Sequence, residues 1–191
     1  MNPLELNFNP FPVLETERLI LRQYTNGDAE ALFSFRSNPQ AMHFVPRPLH
    51  QSTEDALKMI AQITENIVTN IAIGWAVELK ENAKVIGSVS FHRIEKENHR
   101  GELGYMIHPD YWGKGLVTEA AAAAVHYGFK GLHFHSIEAI IDPDNVASAR
   151  VLEKLNFVKE AHFKENFFQH GRFTDTAIYS LLKSDYLKAG K

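Results

Sequence analysis

The sequence predicts one α/β domain in which helices cover a mixed β-sheet. The predicted elements run strand, helix, helix, three strands, helix, strand, helix and two closing strands, which makes seven strands and four helices. Interleaving of this kind is typical of a sheet with helices on its faces. The 191 residues, 45% of them hydrophobic and 23% charged, are enough for one substantial core.

The N-terminal part of the chain begins with an arm and contains the first strand and two helices. Three prolines within the first 12 residues indicate an irregular arm over residues 1–15. Alternating residues predict a strand at Arg18–Tyr24, and apolar residues at helical spacing predict a helix over residues 26–37. A capping signature at residues 52–53 begins a second helix that runs to about Asn70.

The rest of the chain supplies six strands and two helices. In order we expect strands at 72–79, 84–94 and 100–108, a helix at 116–129, a strand at 136–142, a helix at 145–155, and strands at 157–168 and 173–182. The strand at 136–142 is almost entirely apolar, which is typical of a strand buried on both faces. The right-handed crossover rule places the alanine-rich helix at 116–129 over one face, between the strands that flank it in sequence.

The composition limits the classes of function. The net charge of −3 provides no overall field that would attract nucleic acid or an anionic membrane surface, so we predict neither as a partner. The absence of cysteine excludes disulfides, thiolate metal sites and a cysteine nucleophile, and it favours a cytoplasmic location. The N-terminus has no signal-peptide pattern, and no window approaches the ~18 continuous apolar residues of a membrane span.

The segment GYMIHPDYWGKGLVTEA joins a predicted strand to the alanine-rich helix through two glycines and a lysine. The first N–H groups of a helix have no internal partner, and the macrodipole gives that end a partial positive charge. Gly113 and Gly115 would let the backbone approach an anion, with Lys114 between them as a charge. The spacing fits neither a P-loop nor a dinucleotide fingerprint, because His108 and Thr118 stand where those patterns require glycine or alanine. A plain tight turn before a helix is the alternative.

The helix after this turn presents one continuous face of mostly small residues. Its members fall at i, i+3, i+4, i+7, i+8 and i+11: Val117, Ala120, Ala121, Ala124, Val125 and Gly128. Small side chains let a helix axis lie close to a sheet, so docking would fix the position of the helix N-terminus. This pattern favours a fixed anion-binding turn.

Two segments together resemble the GCN5-related N-acetyltransferases (GNAT): GELGYMIHPDYWGKGLVTEA and DPDNVASARVLEKLNF. The resemblance runs from ETERLILRQ to the final strand, and it points to the group that includes ribosomal-protein-alanine acetyltransferases and similar small-amine acetylases. It implies a GNAT-like fold, with one domain over residues 1–191 and a mostly antiparallel, twisted sheet that splays at a β-bulge. It also implies an acetyl-CoA-dependent N-acetyltransferase.

The resemblance implies a cofactor site around the glycine turn. In the family, the loop that matches Trp112–Val117 holds the pyrophosphate of acetyl-CoA with backbone N–H groups, and the strand that matches Tyr105–His108 pairs with the pantetheine arm. The asparagine that matches Asn145 contacts the pantetheine region, although a pure helix cap is an equal alternative. The predicted cofactor-binding residues are Met106, Ile107, His108, Trp112, Gly113, Lys114, Gly115, Leu116, Val117, Asn145, Ser148, Arg150 and Lys154. The three basic residues in this set would meet phosphates, or they are solvated surface charges.

Acetyl transfer to an amine requires a neutral amine and a stabilised oxyanion. Glu102 is the predicted base, because strand alternation places it beside Gly104, where the missing side chain leaves room for a substrate. A solvent-facing glutamate is the alternative. A backbone N–H near Met106 or Ile107 would hold the oxyanion. A protein α-amine is about one-seventh neutral at pH 7 whereas a lysine is only about 0.04% neutral, so we expect an α-amine acceptor.

The departing thiolate would be helped by an acid. Many relatives have a tyrosine where Leu152 stands in this chain, and the resemblance implies that Ser148 takes its place. A helix serine that bonds Asn145 is an equal alternative for Ser148. A non-catalytic acyl-CoA-binding domain is the alternative function for the whole chain, since that tyrosine is missing.

The acceptor site is predicted less sharply than the cofactor site. Phe33, His43 and Phe44 would line it together with Glu102 and Gly104, although core packing is the alternative for Phe33. The HFH segment at 133–135 offers two histidines but no third ligand, so we predict no metal. The resemblance leaves both a monomer and a homodimer open.

Overall fold

The computed structural model of the protein describes residues 2–169 and 171–190 and contains one eight-stranded sheet. The strands are β1 (Leu14–Glu15), β2 (Leu19–Arg22), β3 (Ile73–Leu79), β4 (Val85–Glu95), β5 (Arg100–Ile107), β6 (Ser136–Ile141), β7 (Val158–Gln169) and β8 (Arg172–Leu182). The α-helices are α1 (Ala29–Arg36), α2 (Pro39–Met42), α3 (Thr53–Val68), α4 (Leu116–Lys130), α5 (Val146–Lys154) and α6 (Lys183–Lys188). The strand order in the sheet is β1-β2-β3-β4-β5-β6-β8-β7.

The sheet is mostly antiparallel, as the resemblance predicted. Only β5 and β6 pair in parallel among the described strands, and α4 makes the crossover between them. The fold class, a mixed sheet flanked by helices, is therefore confirmed. Three short elements exceed the predicted seven strands and four helices. β1 lies at the end of the arm predicted to be irregular, α2 lies in a segment predicted to be a loop, and α6 follows the last strand.

The short helix α2 shows why a proline misled the sequence prediction. Pro39 occupies the first turn of α2, where its missing N–H removes no helical hydrogen bond. Asn38 caps this helix, and its side-chain oxygen accepts the N–H groups of Gln40 and Ala41. The proline that ends α1 therefore also begins the next helix.

Two apolar clusters lie on opposite faces of the sheet. The larger one includes β5 residues Leu103 and Ile107, which face α4 and α5. The smaller one contains α1 and α3 residues together with Met106 of β5. The predicted alternation along β5 is therefore observed, and it assigns one face of the strand to each set of helices.

Two irregularities in the central strands position the functional site. β5 pairs with β6 only at Arg100, Gly101 and Glu102, whereas β6 continues to pair with β8 as far as Ile141. The two parallel strands therefore separate after Glu102. On the other side of β5, the register with β4 shifts between Phe91 and Arg93. The structure thus contains both the splay and the bulge that the resemblance implied.

Candidate active site

The Gly-Lys-Gly turn takes a backbone conformation that suits glycine. Gly113 has φ of +73° and Gly115 has φ of +76°, both in the left-handed region that L side chains rarely adopt. Gly115 is the residue that immediately precedes α4, and no side chain caps the helix there. The turn therefore delivers the chain into α4 with the helix N-terminus uncovered.

The backbone N–H groups of this turn have no partner in the described part of the chain. No protein hydrogen bond involves the N–H of Gly113, Lys114 or Gly115. The first-turn N–H groups of α4, beginning at Leu116, have no helical acceptor by their position. Trp112 differs, because its own N–H bonds the carbonyl of Pro109 at 3.0 Å. The donors suited to an anion are therefore those of residues 113–118.

An ion pair that the sequence did not predict anchors this turn to β2. The guanidinium of Arg18 contacts Glu119 of α4 at 2.6 and 2.7 Å and donates to the carbonyl of Lys114 at 3.1 Å. Thr16 adds a hydrogen bond of 2.6 Å to the same carboxylate. Burial alone would raise the pKa of Glu119, but the hydrogen bonds from Thr16 and Arg18 outweigh it and lower the pKa. The ionised Glu119 thus fixes the start of α4 through its bonds to Arg18 and Thr16.

The small-residue face of α4 packs closely on the sheet, as predicted. Ala120, Ala121 and Ala124 are all buried, and Val117 is partly buried against the same cluster. An added Cβ at Gly128 would lie 2.9 Å from side-chain atoms of both Phe91 and Ile137. Close docking and the Arg18–Glu119 pair therefore hold the two ends of α4 independently.

The edge of β5 is open after Glu102, because β6 no longer pairs with it and a gap separates the two strands. The N–H of His108 donates to the carbonyl of Ile86 on β4 at 2.8 Å. Because backbone N–H groups alternate in direction along a strand, the N–H of Met106 also faces β4, and the N–H groups of Tyr105 and Ile107 face the gap. A Cβ added to Gly87 would collide with the carbonyl oxygen of Met106, which places that carbonyl on the β4 side. Of the predicted N–H donors, Ile107 therefore faces the gap, whereas Met106 and His108 face β4.

Trp112 and Lys114 point away from the turn in this structure. The indole N–H of Trp112 donates to the carbonyl of Ile107 at 2.9 Å, so this side chain links the turn to the end of β5. The ammonium of Lys114 donates to the carbonyl of Asp110 at 2.9 Å and lies 5.1 Å from the centroid of the Tyr111 ring. Both side chains brace the turn, and the backbone is left to meet a ligand.

The start of α5 faces the gap between β5 and β6. The side chain of Asn145 accepts the N–H of Ser148 at 3.1 Å, which is the capping arrangement. The hydroxyl of Ser148 lies 2.8 Å from the hydroxyl of Tyr105, a partner that sequence reasoning missed. Burial raises the pKa of Tyr105 to about 12, although the hydrogen bond with Ser148 lowers it. Arg150 and Lys154 are exposed one turn apart on α5, which leaves them free to meet an anion.

Glu102 lies at the point where β5 and β6 separate, and it is not solvent-facing. Its side chain is only 11% exposed and lies between the imidazole of His92, with 3.1 Å to Nε2, and the guanidinium of Arg93, with 3.4 Å to Nε. Arg93 also reaches Glu138 of β6 at 2.9 Å. Burial alone would raise the pKa of Glu102, but His92 and Arg93 outweigh it and hold the pKa below its ordinary value.

The ring of His92 occupies part of the predicted gap beside Gly104. An added Cβ at Gly104 would lie 3.0 Å from the Nδ1 atom of His92 and 3.4 Å from the hydroxyl of Ser90. Sequence reasoning missed His92. The available signal was its position on the same predicted strand face as Ser90, opposite Gly104 in the neighbouring strand.

The aromatic residues predicted at the acceptor site lie on the α1 side of the sheet. Phe33 is partly buried in the same apolar cluster as Met106, so it packs over the acceptor face of β5. His43 and Phe44 follow α2, and their rings meet edge to face at 4.6 Å between centroids. Contact of these two rings with an acceptor stays a prediction.

Comparison with known proteins identifies the family. Residues 18–158 match the family described as the acetyltransferase (GNAT) domain. The chain is 37% identical over 173 residues to the uncharacterized N-acetyltransferase YoaA of Bacillus subtilis (strain 168), covering 91% of this chain and 98% of the relative.

This chain belongs to the GNAT family.

Further relatives agree with this assignment. The spermidine N(1)-acetyltransferase of Escherichia coli (strain K12) is 31% identical over 105 residues, which are 55% of this chain and 56% of that enzyme. The crystal structure of the ribosomal-protein-S5-alanine acetyltransferase from Vibrio fischeri superposes with a TM-score of 0.82 at 28% identity, covering 92% of this chain and 98% of that one. The predicted family, and the predicted activity as an acetyl-CoA-dependent N-acetyltransferase, are confirmed.

The structure adds two observations of absence within the described residues. None of their helices combines the length and the hydropathy that a membrane span requires. They also contain no cluster of three histidine or carboxylate side chains arranged to hold a metal ion. The absence of a metal from the reaction stays a prediction.

Proposed function

We propose that this GNAT enzyme transfers the acetyl group of acetyl-CoA directly to a primary α-amine, without an acyl-enzyme. The observation that carries the proposal is a continuous line of unpaired backbone donors. It begins with the N–H groups of the turn at 113–118 and continues along the open edge of β5 at Ile107 and Tyr105. It ends beside Gly104 and Glu102. The half-exposed ring of His92 and the hydroxyl of Ser90 lie over Gly104 on the opposite face of the sheet, and the acceptor approaches from that face.

The chemical groups at this site, and their order along the chain, match the successive parts of acetyl-CoA. Partially positive N–H groups at residues 113–118 suit a diphosphate, with Arg150 and Lys154 as nearby charges for its remaining oxygens. The N–H groups of Tyr105 and Ile107 suit the amides of the pantetheine arm and the oxyanion that develops during transfer. The cosubstrate supplies a thioester, and these donors fix where its carbonyl lies.

Ser148 is the proposed acid for the departing thiolate. Its hydroxyl lies at the gap between β5 and β6 and is hydrogen-bonded to the hydroxyl of Tyr105 at 2.8 Å, while the tyrosine also donates to the carbonyl of Ser148 at 3.1 Å and so holds the serine in place. A thiolate leaves more easily than an alkoxide, so this help is modest. Asn145 holds the backbone of Ser148 in place through the cap.

The chemistry of the reaction favours an α-amine of a peptide or small metabolite as acceptor. Glu102 is the buried charge at the acceptor side, and its lowered pKa marks it as a charge that stays ionised. The Vibrio fischeri structure of similar fold is that of an S5-alanine acetyltransferase, which supports a peptide N-terminus, whereas the relative from Escherichia coli is a spermidine acetyltransferase. We propose a cytoplasmic enzyme, active as a monomer or a homodimer.

Thiol release from acetyl-CoA tests this proposal. The acceptors are short peptides with a free N-terminus, the same peptides with a blocked N-terminus and one internal lysine, and spermidine. We expect thiol release with the free α-amine, little with the blocked peptide, and a product whose mass increases by one acetyl group. Binding of CoA without thiol release on any amine would favour the alternative, a non-catalytic acyl-CoA-binding domain.

A further inference from the structure

We propose that His92 takes the proton from the acceptor amine, and that Glu102 is a positioning residue that orients His92. This inference rests on the proposed function and deepens it. It replaces the simpler expectation that Glu102 acts as the base itself. Three features of the structure lead to it: the bulge in β4, the confinement of Glu102, and the orientation of the imidazole ring.

The bulge explains why two consecutive residues of β4 reach the same carboxylate. Phe91 pairs with Leu103 and Arg93 pairs with Glu102, so His92 is the extra residue on its strand. In a regular strand, neighbouring side chains point to opposite faces. A bulge re-aims a side chain, and here both His92 and Arg93 approach Glu102.

Glu102 is poorly suited to accept a proton. Its carboxylate is enclosed by His92 and Arg93, and Arg93 is itself held by Glu138 at 2.9 Å. The hydrogen bond from His92 and the charge of Arg93 stabilise the ionised form of Glu102, which makes it a weak base. Only 11% of its side chain is exposed, whereas 52% of the side chain of His92 is exposed.

The ring of His92 is oriented so that one nitrogen bonds Glu102 and the other can take the proton of the amine. Nε2 faces Glu102 at 3.1 Å, and a carboxylate favours the proton on the nitrogen beside it. Nδ1 then carries a lone pair, and it lies on the acceptor side of β5, 3.0 Å from where a Cβ of Gly104 would stand. Histidine is the side chain that ordinarily changes charge near neutral pH, which suits it to take a proton from an amine.

The step balances as a simple acyl transfer. The amine nitrogen bonds the acetyl carbonyl carbon, the carbon–sulfur bond breaks, and the nitrogen gives one proton to Nδ1 of His92. The thiolate takes a proton from Ser148, which regains one from solvent, or directly from water, and His92 returns its proton to solvent. The charged groups around the ring are Glu102 on β5, Arg93 on its own strand and, beyond Arg93, Glu138 on β6.

Two acceptors that differ in basicity test the proposal. The nitrogen of a peptide α-amine needs a base to take its proton as the new bond forms, whereas the nitrogen of a weakly basic aromatic amine becomes much more acidic on attack and gives its proton readily to water. We expect His92→Gln to lower kcat/KM for the peptide by about 100-fold or more and for the aromatic amine by less than about 5-fold, with the Kd of CoA unchanged. His135→Gln, which alters an exposed histidine before β6, is the matched control and leaves both rates unchanged.

Further variants separate the base from its positioning residue. Glu102→Gln should lower kcat for the peptide by about 10-fold while the KM of the peptide and the Kd of CoA stay unchanged, because the ring of His92 loses the carboxylate that orients it. His92→Ala should regain peptide activity when free imidazole is added. Wild-type peptide activity in His92→Gln, or an equal loss with both amines, would overturn the proposal. Absence of thiol release by the wild-type enzyme with any amine would instead count against the proposed function.

A second observation, at the end of α1, carries a separate inference about the acceptor. We infer that Arg36, Arg47 and His50, the Arg36 cluster, bind an anionic group of the acceptor. The Nε atom of Arg36 and the Nδ1 atom of His50 are buried without a hydrogen-bond partner. The two residues are neighbours, because the N–H of His50 donates to the carbonyl of Arg36 at 3.1 Å.

The two arginines of the cluster lack a counter-ion in the part of the chain that the structure describes, whereas burial lowers the pKa of His50 and the Asp55 carboxylate is close enough to offset part of that lowering. Among the described residues, no carboxylate forms a salt bridge with Arg36 or Arg47. Burial lowers the pKa of Arg36, and the positive charge of Arg47 lowers it further. A partly buried guanidinium without a counter-ion is unfavourable, and its planar donors match a carboxylate or a phosphate.

The Arg36 cluster lies on the acceptor face of the sheet. Arg36 is three residues beyond Phe33 on α1, so the two side chains are neighbours on the helix surface. Phe33 packs in the apolar cluster that contains Met106 of β5, next to the open edge. An acceptor whose amine is beside Gly104 can therefore extend a carboxylate or phosphate toward α1.

Acceptors with matched amines test this second inference. Alanyl peptides with a free C-terminal carboxylate, the same peptides as C-terminal amides, and those amides with a phosphoserine at the second position distinguish a carboxylate, a neutral group and a phosphate on the same α-amine. We expect kcat/KM to favour one of the anionic acceptors by about 10-fold, and Arg36→Met to remove that preference, while Lys130→Met on α4 retains it. Equal rates for all three acceptors, or an unchanged preference in Arg36→Met, would overturn the inference without touching the proposed function.

Discussion

The two ends of β5 are built in different ways. Past its C-terminal end, the turn and the first residues of α4 offer free backbone donors, and nearly all of them come from the continuous segment 113–118. At its N-terminal end, the acceptor side joins His92 and Arg93 from β4, Glu102 from β5 and Glu138 from β6. One end depends on local backbone conformation, and the other depends on how three strands are aligned.

Because of this difference, we expect the two ends of β5 to be sensitive to different kinds of substitution. A local turn loses its shape when one residue cannot adopt the required φ. Single glycines should therefore matter most at the cofactor end, which is the C-terminal end of β5 with the turn that follows it. A cross-strand cluster fails when a charge or a register changes, so its variants should alter rates and pH profiles while leaving CoA binding intact. The predictions that follow are chosen to break or to sharpen that division.

The largest effect is expected from Gly115→Val at the cofactor end. Valine is strained at the φ of +76° and would add bulk where the diphosphate approaches, so the Kd of CoA should rise about 30-fold or more. Isothermal titration with CoA measures this. Gly171→Val is a matched control, because Gly171 has φ of +77° in the β7–β8 turn, and it should lower stability without changing the Kd. Equal loss of CoA binding in both variants would contradict the distinction.

A smaller effect is expected when the tie between α4 and β2 is weakened. Glu119→Gln removes the charge that holds Arg18 and Thr16, so the Kd of CoA should rise about 10-fold and the free energy of unfolding should fall by about 1–2 kcal/mol. Glu30→Gln, in the first turn of α1, is the control for an exposed acid at a helix start. If CoA affinity survives unchanged, the turn holds its shape without the ion pair.

The same carboxylate predicts a dependence of stability on acid. The folded-state pKa of Glu119 is lowered, so its stabilising effect is complete above the ordinary glutamate pKa of about 4.3 and is lost as pH falls through the lower folded-state value. Urea unfolding at several pH values should therefore show that wild type loses more stability than Glu119→Gln in that acidic range. Parallel loss in the two proteins would contradict the assigned role.

The smallest effect is expected from Ser148→Ala. Turnover should fall by no more than about 10-fold, because a thiolate can leave without an acid, and the Kd of CoA should change little. Loss of the hydrogen bond to Tyr105 should lower the free energy of unfolding by about 1 kcal/mol. Ser34→Ala on α1 is the control for a helix serine that bonds only its own helix. A full rate in Ser148→Ala would assign the serine to helix structure alone.

The cofactor end could be predicted from the sequence because its determinants are contiguous. One continuous segment contains the glycines at 113 and 115, the start of α4 and its face of small residues. The structure has each of these features. The ion pair between Arg18 and Glu119 joins residues 101 apart, and nothing local to either residue indicates it.

The acceptor end could be predicted only in part. Glu102 and Gly104 are adjacent in one strand, so alternation was enough to bring them together. The approach of both His92 and Arg93 to Glu102 depends on the bulge between Phe91 and Arg93, which sets the register across two strands and has no local signature here. Arg36 and His50 meet only because the chain between them folds back over α1.

A crystal structure of the complex with CoA tests the central claim most directly. We predict that diphosphate oxygens lie within about 3.2 Å of backbone nitrogens in residues 113–118, and that the pantetheine arm follows the open edge of β5 at Tyr105 and Ile107. A diphosphate bound elsewhere, or turn N–H groups bonded to the carbonyls of the protein itself, would contradict the account.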